Sequence, residues 1–94
     1  MSRLLTAARA AVRPGCEAEF EAVLAARGRA ADAAGRRFWV FRSRDGGEYL
    51  VFTEWADGSA DAPSPEEAEL DARLRRLAGF APDADRIWQE TKLR

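Results

Sequence analysis

The sequence contains no histidine and only one cysteine, and these absences exclude several kinds of active site. A Ser-His-Asp triad and a Cys-His nucleophile pair both need a histidine, so neither can exist in this chain. Zinc sites are built mainly from cysteine and histidine, and the remaining carboxylates show no ligand spacing. We therefore expect no metal site and no cofactor.

The chain also lacks a long apolar run and an excess of charge of either sign. No stretch approaches the ~20 apolar residues that cross a bilayer, so no membrane association is expected. There are 15 basic and 16 acidic residues, with a formal net charge of −1. Polyanions bind to patches of lysine and arginine, so this balance argues against a nucleic-acid partner. The single cysteine and the poor signal-peptide pattern favour the cytoplasm.

The apolar pattern predicts six elements in the order β-α-β-β-α-β, within a single domain over residues 1–94. "SPEE" at residues 64–67 predicts a capping box at the start of the second helix. This order is typical of an α+β, ferredoxin-like sandwich, in which both helices cover one face of a four-stranded antiparallel sheet. Strands are expected over residues 3–12, 36–44, 48–55 and 84–93, and helices over residues 16–34 and 64–79.

The predicted hairpin at residues 36–55 is apolar on both faces, although the two helices can cover only one of them. Burying four large apolar side chains is worth about 1.5–3 kcal/mol each, which together rivals the stability of a small domain. Soluble monomers rarely expose a patch of that size. We therefore predict a homodimer in which two sheets pack face to face. Its interface would consist of Trp39, Phe41, Leu50 and Phe52.

The helix-facing side of the sheet is expected to form one wall of a ligand pocket. Trp55 supplies an aromatic surface there, and Tyr49 and Thr53 supply hydroxyl groups that can orient a planar ligand. The opposing half of the first helix, "AARGRAADAAG", is rich in alanine and glycine. Small side chains there either let the helix settle closer to the sheet or leave space next to the large aromatic side chains. The candidate binding residues are Thr6, Phe38, Arg42, Tyr49, Thr53 and Trp55.

Several of the notable side chains also have a purely structural interpretation. Trp55 can be a core residue whose indole N–H finds a backbone acceptor, and Arg42 can extend into solvent with its stem along the sheet. Glu54 and Glu90 are candidate bases, but arginines of a partner subunit can neutralise Glu54. Cys16 has no histidine to activate it and is interpreted as a bystander. No catalytic residue is assigned, and the loop "DGSADAPSPEE" is a candidate lid by its position alone.

Two stretches of the chain resemble the antibiotic biosynthesis monooxygenase family of the dimeric α+β barrel superfamily. In "VRPGCEAEFEAVL", the Pro14-Gly15 turn precedes an acid-led helix that contains Phe20. In "YLVFTEW", Trp55 ends an apolar strand. The resemblance implies a two-subunit barrel with one ligand cavity per subunit, between the helices and the sheet. Members include cofactor-independent oxygenases of polycyclic phenols, haem-degrading enzymes and proteins of unsettled role.

The chain departs from the haem-degrading members at two positions. Trp55 matches their strand-three tryptophan, but their strand-one asparagine falls near Ala8, and this sequence contains no asparagine. Their haem-ligating histidine has no counterpart either, so histidine ligation of haem is excluded. The missing asparagine also separates the chain from those phenol oxygenases that use Asn and Trp to steer oxygen and substrate.

Three functions follow as hypotheses from these patterns. The first is a dimeric, cofactor-independent monooxygenase acting on a small aromatic or polyketide-type molecule. The alternative is a dimeric small-molecule-binding or accessory protein without turnover. A third, RNA binding on the open face of the sheet, is disfavoured by the acidic composition and the apolar character of that face.

Overall fold

The computed structural model of the chain describes residues 4–55, 63–81, 87–89 and 91. The elements follow one another in the predicted order, except that two short strands stand in place of the single final strand. The elements are β1 (Leu4–Val12), α1 (Glu17–Ala33), β2 (Phe38–Arg42), β3 (Glu48–Trp55), α2 (Pro65–Leu77), β4 (Ala78–Phe80) and β5 (Ile87–Gln89).

The strands form one antiparallel sheet with the order β2-β3-β1-β4, and β5 also pairs with β1. Strand β4 pairs with residues 10–12 of β1, while β5 pairs with residues 4–6 of the same strand. The two short strands thus share the position of one edge strand. This topology confirms the predicted α+β, ferredoxin-like sandwich. The β5 residues lie within the predicted final strand, whereas β4 was expected to be the end of a helix.

The hairpin has the predicted facing of side chains. Strands β2 and β3 pair so that Phe38 lies opposite Thr53 and Arg42 lies opposite Tyr49. Gly46 and Gly47 in the turn have φ values of 79° and 86°, a backbone conformation that other L-residues adopt at a cost. Successive side chains along a strand point to opposite faces of the sheet. In this register, one set of side chains therefore points toward the helices and the other set points away from them.

Helix α2 begins with the capping box that the sequence predicts. The backbone N–H of Glu67 donates to Ser64 Oγ at 3.1 Å, and the backbone N–H of Ser64 donates to Glu67 Oε1 at 2.8 Å. The helix ends at Leu77 rather than at the predicted Gly79. It ends there because Ala78 is already extended, with φ −149° and ψ 151°, and pairs with Val12 in the sheet.

The core lies between the two helices and the inner face of the sheet. Helix α1 begins after Cys16 without a side-chain cap, and its buried apolar residues recur at helical spacing. In the part of the chain that the structure describes, no helix is long and apolar enough to cross a membrane. The buried apolar cluster consists of Ala10, Val12, Phe20, Val23, Leu24, Ala30, Tyr49, Leu70, Leu74 and Ala78.

The outer face of the sheet carries large apolar side chains that the described part of the chain buries only in part. Phe41 is 56% exposed, Leu50 is 41% exposed and Trp88 is 52% exposed. Trp39 and Phe52 are half-buried beside them. The rings of Phe41 and Phe52 pack edge to face, with centroids 5.8 Å apart. We call the four residues Trp39, Phe41, Leu50 and Phe52 the outer apolar face.

Candidate functional site

A pocket of about 510 Å³ opens to solvent between helix α1 and the hairpin of β2 and β3. This volume lies within the range of small-molecule sites, which are mostly apolar with a few well-placed polar groups. The pocket is lined by Glu21, Leu24, Ala25, Gly28, Phe38, Val40, Arg42 and Tyr49. We call it the α1–hairpin pocket.

The space exists because α1 presents small residues to the aromatic side of the hairpin. A Cβ atom at Gly28 would lie 3.3 Å from Cδ2 of Phe38, so the helix and the ring approach closely at this point. One turn earlier, Ala25 projects only a methyl group toward the pocket. The sequence left open whether the small residues would let the helix settle on the sheet or leave a space. At Gly28 the helix lies close to the sheet, and at Ala25 a space remains between the helix and the hairpin.

Three polar side chains meet at one end of the pocket. The Tyr49 hydroxyl donates a short hydrogen bond to Oε2 of Glu21. Nη1 of Arg42 lies 3.4 Å from the same oxygen. Tyr49 is only 3% exposed, and its ring packs on Phe20 with centroids 5.1 Å apart. The phenol is therefore held in place, while Glu21 and Arg42 reach toward solvent.

The surroundings of Tyr49 favour its neutral form. The hydrogen bond to Glu21 raises the pKa of Tyr49 above its usual value, and burial and the negative charge of Glu21 raise it further. The nearby guanidinium of Arg42 opposes this effect in part. At neutral pH the Tyr49 hydroxyl is therefore a hydrogen-bond donor to a carboxylate.

Trp55, Thr53 and Thr6 lie outside the lining of the α1–hairpin pocket, whereas Tyr49, Phe38 and Arg42 belong to it. The indole N–H of Trp55 donates to Thr6 Oγ1 at 3.0 Å. The structural interpretation of Trp55 expected a backbone acceptor, and a threonine side chain takes that role. Thr6 also lies opposite Thr53 in the pairing of β1 and β3. The six candidate binding residues thus divide into a pocket group and a group around Trp55.

Arg36 connects the Trp55 group to a buried charge network. Its guanidinium carbon lies 4.4 Å from the centroid of the Trp55 ring, within the range of a cation–π contact. Nη1 of Arg36 lies 2.5 Å from Oε1 of Glu67. Trp55 is therefore held from two sides, by Thr6 and by Arg36, as expected for a residue that stabilises the fold.

The network itself joins the two helices. Arg27 of α1 is 3% exposed, and its Nη1 donates to Oε2 of the fully buried Glu67 at 2.8 Å. Its Nε donates to Oδ1 of Asp71 at 2.8 Å. The Arg27 guanidinium also lies 5.2 Å from the ring centroid of Phe38, which lines the pocket. One buried arginine thus connects both helices to the pocket wall.

Glu67 is charged despite its burial. Burial raises the pKa of its carboxyl, but the N–H of Ser64 and the charges of Arg27 and Arg36 outweigh this effect and hold the pKa below its usual value. Breaking such a pair by removing one partner is strongly destabilising, because the other charge stays buried. Glu67 is therefore both a helix cap and the centre of a charge network.

The remaining candidates of the sequence analysis lie elsewhere. Glu54 is half-buried, and its Oε1 is 3.9 Å from Nε of Arg37, so an arginine of the same chain approaches it. Cys16 is half-buried just before α1. Glu90 and most of the candidate lid lie outside the described residues. Among the residues that the structure describes, no group of three or more metal-ligating side chains is found.

The sequence did not predict Glu21, Arg27 or Glu67 as members of a site. Arg27 follows Leu24 by three residues and so falls on the apolar stripe of α1, a signal that it would be buried. Glu67 was explained by its capping role. Glu21 lies in the acid-led start of α1, where negative charge complements the helix N-terminus, and nothing local indicates that Tyr49 would meet it.

Both the sequence and the fold are similar to those of known proteins. A sequence profile described as antibiotic biosynthesis monooxygenase matches residues 4–63. No curated protein matches the sequence. Among solved structures, Rv0793 of Mycobacterium tuberculosis has a TM-score of 0.74 at 21% identity, covering 100% of this chain and 97% of that one.

Two further structures have the same fold. A conserved protein of Methanosarcina mazei Go1 has a TM-score of 0.75 at 17% identity, covering 98% of this chain and 93% of its own. A structure named antibiotic biosynthesis monooxygenase has a TM-score of 0.73 at 9% identity, covering 100% of both chains. At these identities the likeness to solved structures shows the fold alone.

Proposed function

Because this chain belongs to the antibiotic biosynthesis monooxygenase family, we propose that it binds a small aromatic molecule in the α1–hairpin pocket and oxidises it with molecular oxygen. The observation that carries the proposal is the pocket itself. It combines an apolar wall, formed by Leu24, Phe38 and Val40, with polar groups at one end only. A planar, mostly apolar ligand with a polar edge fits this division.

The proposed reaction needs no metal or flavin, because the substrate can supply the electrons. In an anthrone-type substrate, oxidation of the ring CH₂ by one O₂ gives a carbonyl group and one water. One oxygen atom enters the product and the other leaves as water, and the two hydrogens of that water come from the oxidised carbon. The protein would bind the substrate, orient it and keep bulk water away from the reacting edge.

Oxygen uptake tests the proposal directly. Anthrone and a naphthol are offered to the purified protein, and consumption of O₂ is compared with the background rate in buffer. A blocked pocket provides the matched test: Ala25→Leu places a larger side chain in the pocket, while Ala22→Leu changes an exposed alanine of the same helix outside the lining. The proposal predicts that Ala25→Leu loses uptake and ligand binding and that Ala22→Leu keeps both. No uptake above background and no binding would refute it.

The alternative is binding without turnover, in a ligand carrier or an accessory subunit. The open pocket favours neither alternative over the other, since both need the same ligand site. Mass spectrometry of the protein after incubation with the anthrone separates them. An unchanged bound ligand, lost in Ala25→Leu and kept in Ala22→Leu, supports binding alone, whereas a product that carries one added oxygen supports the oxygenase.

The proposed assembly is a homodimer joined through the outer apolar face. Phe41 and Leu50 are more than 40% exposed, and Trp88 on β5 is 52% exposed. A second copy of the chain is the occupant that the family's two-subunit barrel implies. It would bury four large apolar side chains on each subunit, at about 1.5–3 kcal/mol for each fully buried side chain. The pocket lies on the opposite side of the sheet and would stay open in the dimer.

A further inference from the structure

We infer that Glu21 selects the ligand of the α1–hairpin pocket: its carboxylate accepts a hydrogen bond from a hydroxyl group on the polar edge of a neutral aromatic molecule. The inference rests on the proposed function, since it takes the pocket to be a ligand site. It adds a named residue with a named role, the acceptor that would recognise the hydroxyl group of such a ligand.

The two oxygens of the Glu21 carboxylate differ in their contacts. Oε2 accepts the hydrogen bond of Tyr49 and lies next to Nη1 of Arg42. Within the described part of the chain, no hydrogen bond or ion pair involves Oε1. A carboxylate has about four lone-pair sites and accepts hydrogen bonds on both oxygens. One acceptor atom of a pocket-lining side chain therefore stays available to a ligand.

The Glu21 carboxylate is held in position before any ligand binds. Tyr49 is buried, and its ring packs against Phe20, the residue that precedes Glu21 on α1. The hydroxyl of Tyr49 is thus fixed by the core, and it fixes Oε2 in turn. A preorganised acceptor loses little conformational entropy when a ligand binds, which favours affinity and orientation.

The apolar lining of the pocket also restricts which ligands fit it. Leu24, Phe38 and Val40 provide apolar contacts, so a ligand there brings an aromatic or aliphatic body close to the carboxylate. A ligand without a donor would remove water from Oε1 without replacing its hydrogen bond. Sites built to hydrogen-bond a hydroxyl discriminate strongly against analogues that lack it for this reason. An anionic ligand would meet the negative charge of Glu21, which the guanidinium of Arg42 beside it offsets only in part.

The test compares 1-naphthol with 1-methoxynaphthalene, which has the same ring system but no hydroxyl donor. Equilibrium dialysis measures the dissociation constant of each compound for the wild-type protein, for Glu21→Ala and for Glu19→Ala. Glu19 is an exposed acid of the same helix outside the pocket, so its variant controls for the loss of a charge on α1. Thermal unfolding checks that each variant folds.

The expected result is a preference of about 3–10-fold for the naphthol in the wild type, smaller than at a fully buried site because Glu21 is partly exposed. The preference disappears in Glu21→Ala and remains in Glu19→Ala. Glu21→Gln, which keeps an acceptor oxygen without the charge, gives an intermediate preference. Because the ether removes water from Oε1 without replacing its hydrogen bond, its affinity should rise in Glu21→Ala and stay unchanged in Glu19→Ala.

The outcomes separate this inference from the proposed function. If the wild type binds both compounds equally, or if Glu21→Ala keeps the preference, the role of Glu21 is refuted while the pocket remains a ligand site. If neither compound binds the wild type, the pocket is not a site for aromatic molecules, and both proposals are refuted together.

Discussion

The hydroxyl of Tyr49 on strand β3 donates to the carboxylate of Glu21 on helix α1, 28 residues earlier in the chain. This contact joins the sheet to the helix at the polar end of the α1–hairpin pocket. It sets the protonation behaviour of the tyrosine, and it positions the carboxylate that we infer to bind a ligand.

Titration of Tyr49 is expected to report its contact with Glu21. The chain contains one tyrosine, so the ultraviolet absorbance of tyrosinate follows this residue alone. We expect a midpoint above the ordinary value of 10.0 in the folded protein and a normal midpoint in denaturant. Because the folded-state pKa is raised, the stability that this group contributes is present below pH 10 and is lost as pH rises through the folded pKa.

Two variants are expected to shift the midpoint of this titration in opposite directions. Glu21→Gln removes the negative charge beside the phenol, so its midpoint should fall toward the ordinary value. Arg42→Gln removes the guanidinium that opposes the shift, so its midpoint should rise. Circular dichroism recorded alongside confirms that the fold persists over the range. A midpoint that is the same in all three proteins would show that the contact is not made in solution.

Glu67 is expected to make the protein sensitive to acid. Its pKa is lowered in the folded state, so its stabilising contribution is present above the usual value of about 4.5 and is lost as pH falls through the folded pKa. Glu67→Gln should therefore flatten the decline of the free energy of unfolding at low pH. At neutral pH the same variant leaves Arg27 buried with fewer negative partners and should cost about 3–5 kcal/mol.

Urea unfolding at a series of pH values, at a fixed protein concentration, measures both effects. Glu66→Gln serves as the control, since Glu66 is an exposed acid next to Glu67 on the same helix. It should behave as the wild type does. Equal acid sensitivity in Glu67→Gln and in the wild type would mean that other carboxylates cause the decline.

The hydrogen bond from Trp55 to Thr6 is expected to stabilise the fold without contributing to ligand binding. Thr6→Val keeps the shape of the side chain and removes the acceptor, which leaves a buried indole N–H without its partner and should cost about 1–3 kcal/mol. Thr6→Ser keeps the hydroxyl and should retain most of that energy. Affinity for 1-naphthol should be equal in both folded variants, because Thr6 lies outside the α1–hairpin pocket. A selective loss of naphthol affinity in Thr6→Val would move the ligand site to Trp55.

Association through the outer apolar face is expected to depend on Phe41. Phe41→Glu places a charge in the proposed interface and should convert a dimer into a monomer at micromolar concentration in analytical ultracentrifugation. Ala72→Glu adds the same charge on an exposed position of α2 and should leave the dimer intact. A wild-type protein that is a stable, folded monomer at this concentration would contradict the proposed assembly.

Much of the fold could be predicted because it depends on local patterns. The alternating direction of side chains along a strand predicted which residues of the hairpin at 36–55 share each face. Ser64 and Glu67 predicted the start of α2. These signals involve residues a few positions apart, where spacing alone determines which side chains share a face. The predicted end of α2 was wrong by one or two residues, because pairing of Ala78 with β1 competes with continuation of the helix.

The candidate site could be predicted from the sequence only in part. The sequence by itself determined which side chains point from the hairpin toward the helices, that α1 would oppose them with alanine and glycine, and that histidine chemistry is excluded. Only the tertiary structure decided that Tyr49 meets Glu21, that Arg27 and Arg36 close on Glu67, and that Trp55 is tied to Thr6. Each of these pairs is more than 25 residues apart in the chain. Their meeting depends on how the helices cross the sheet, and that crossing is set by the packing of the whole core rather than by any local pattern.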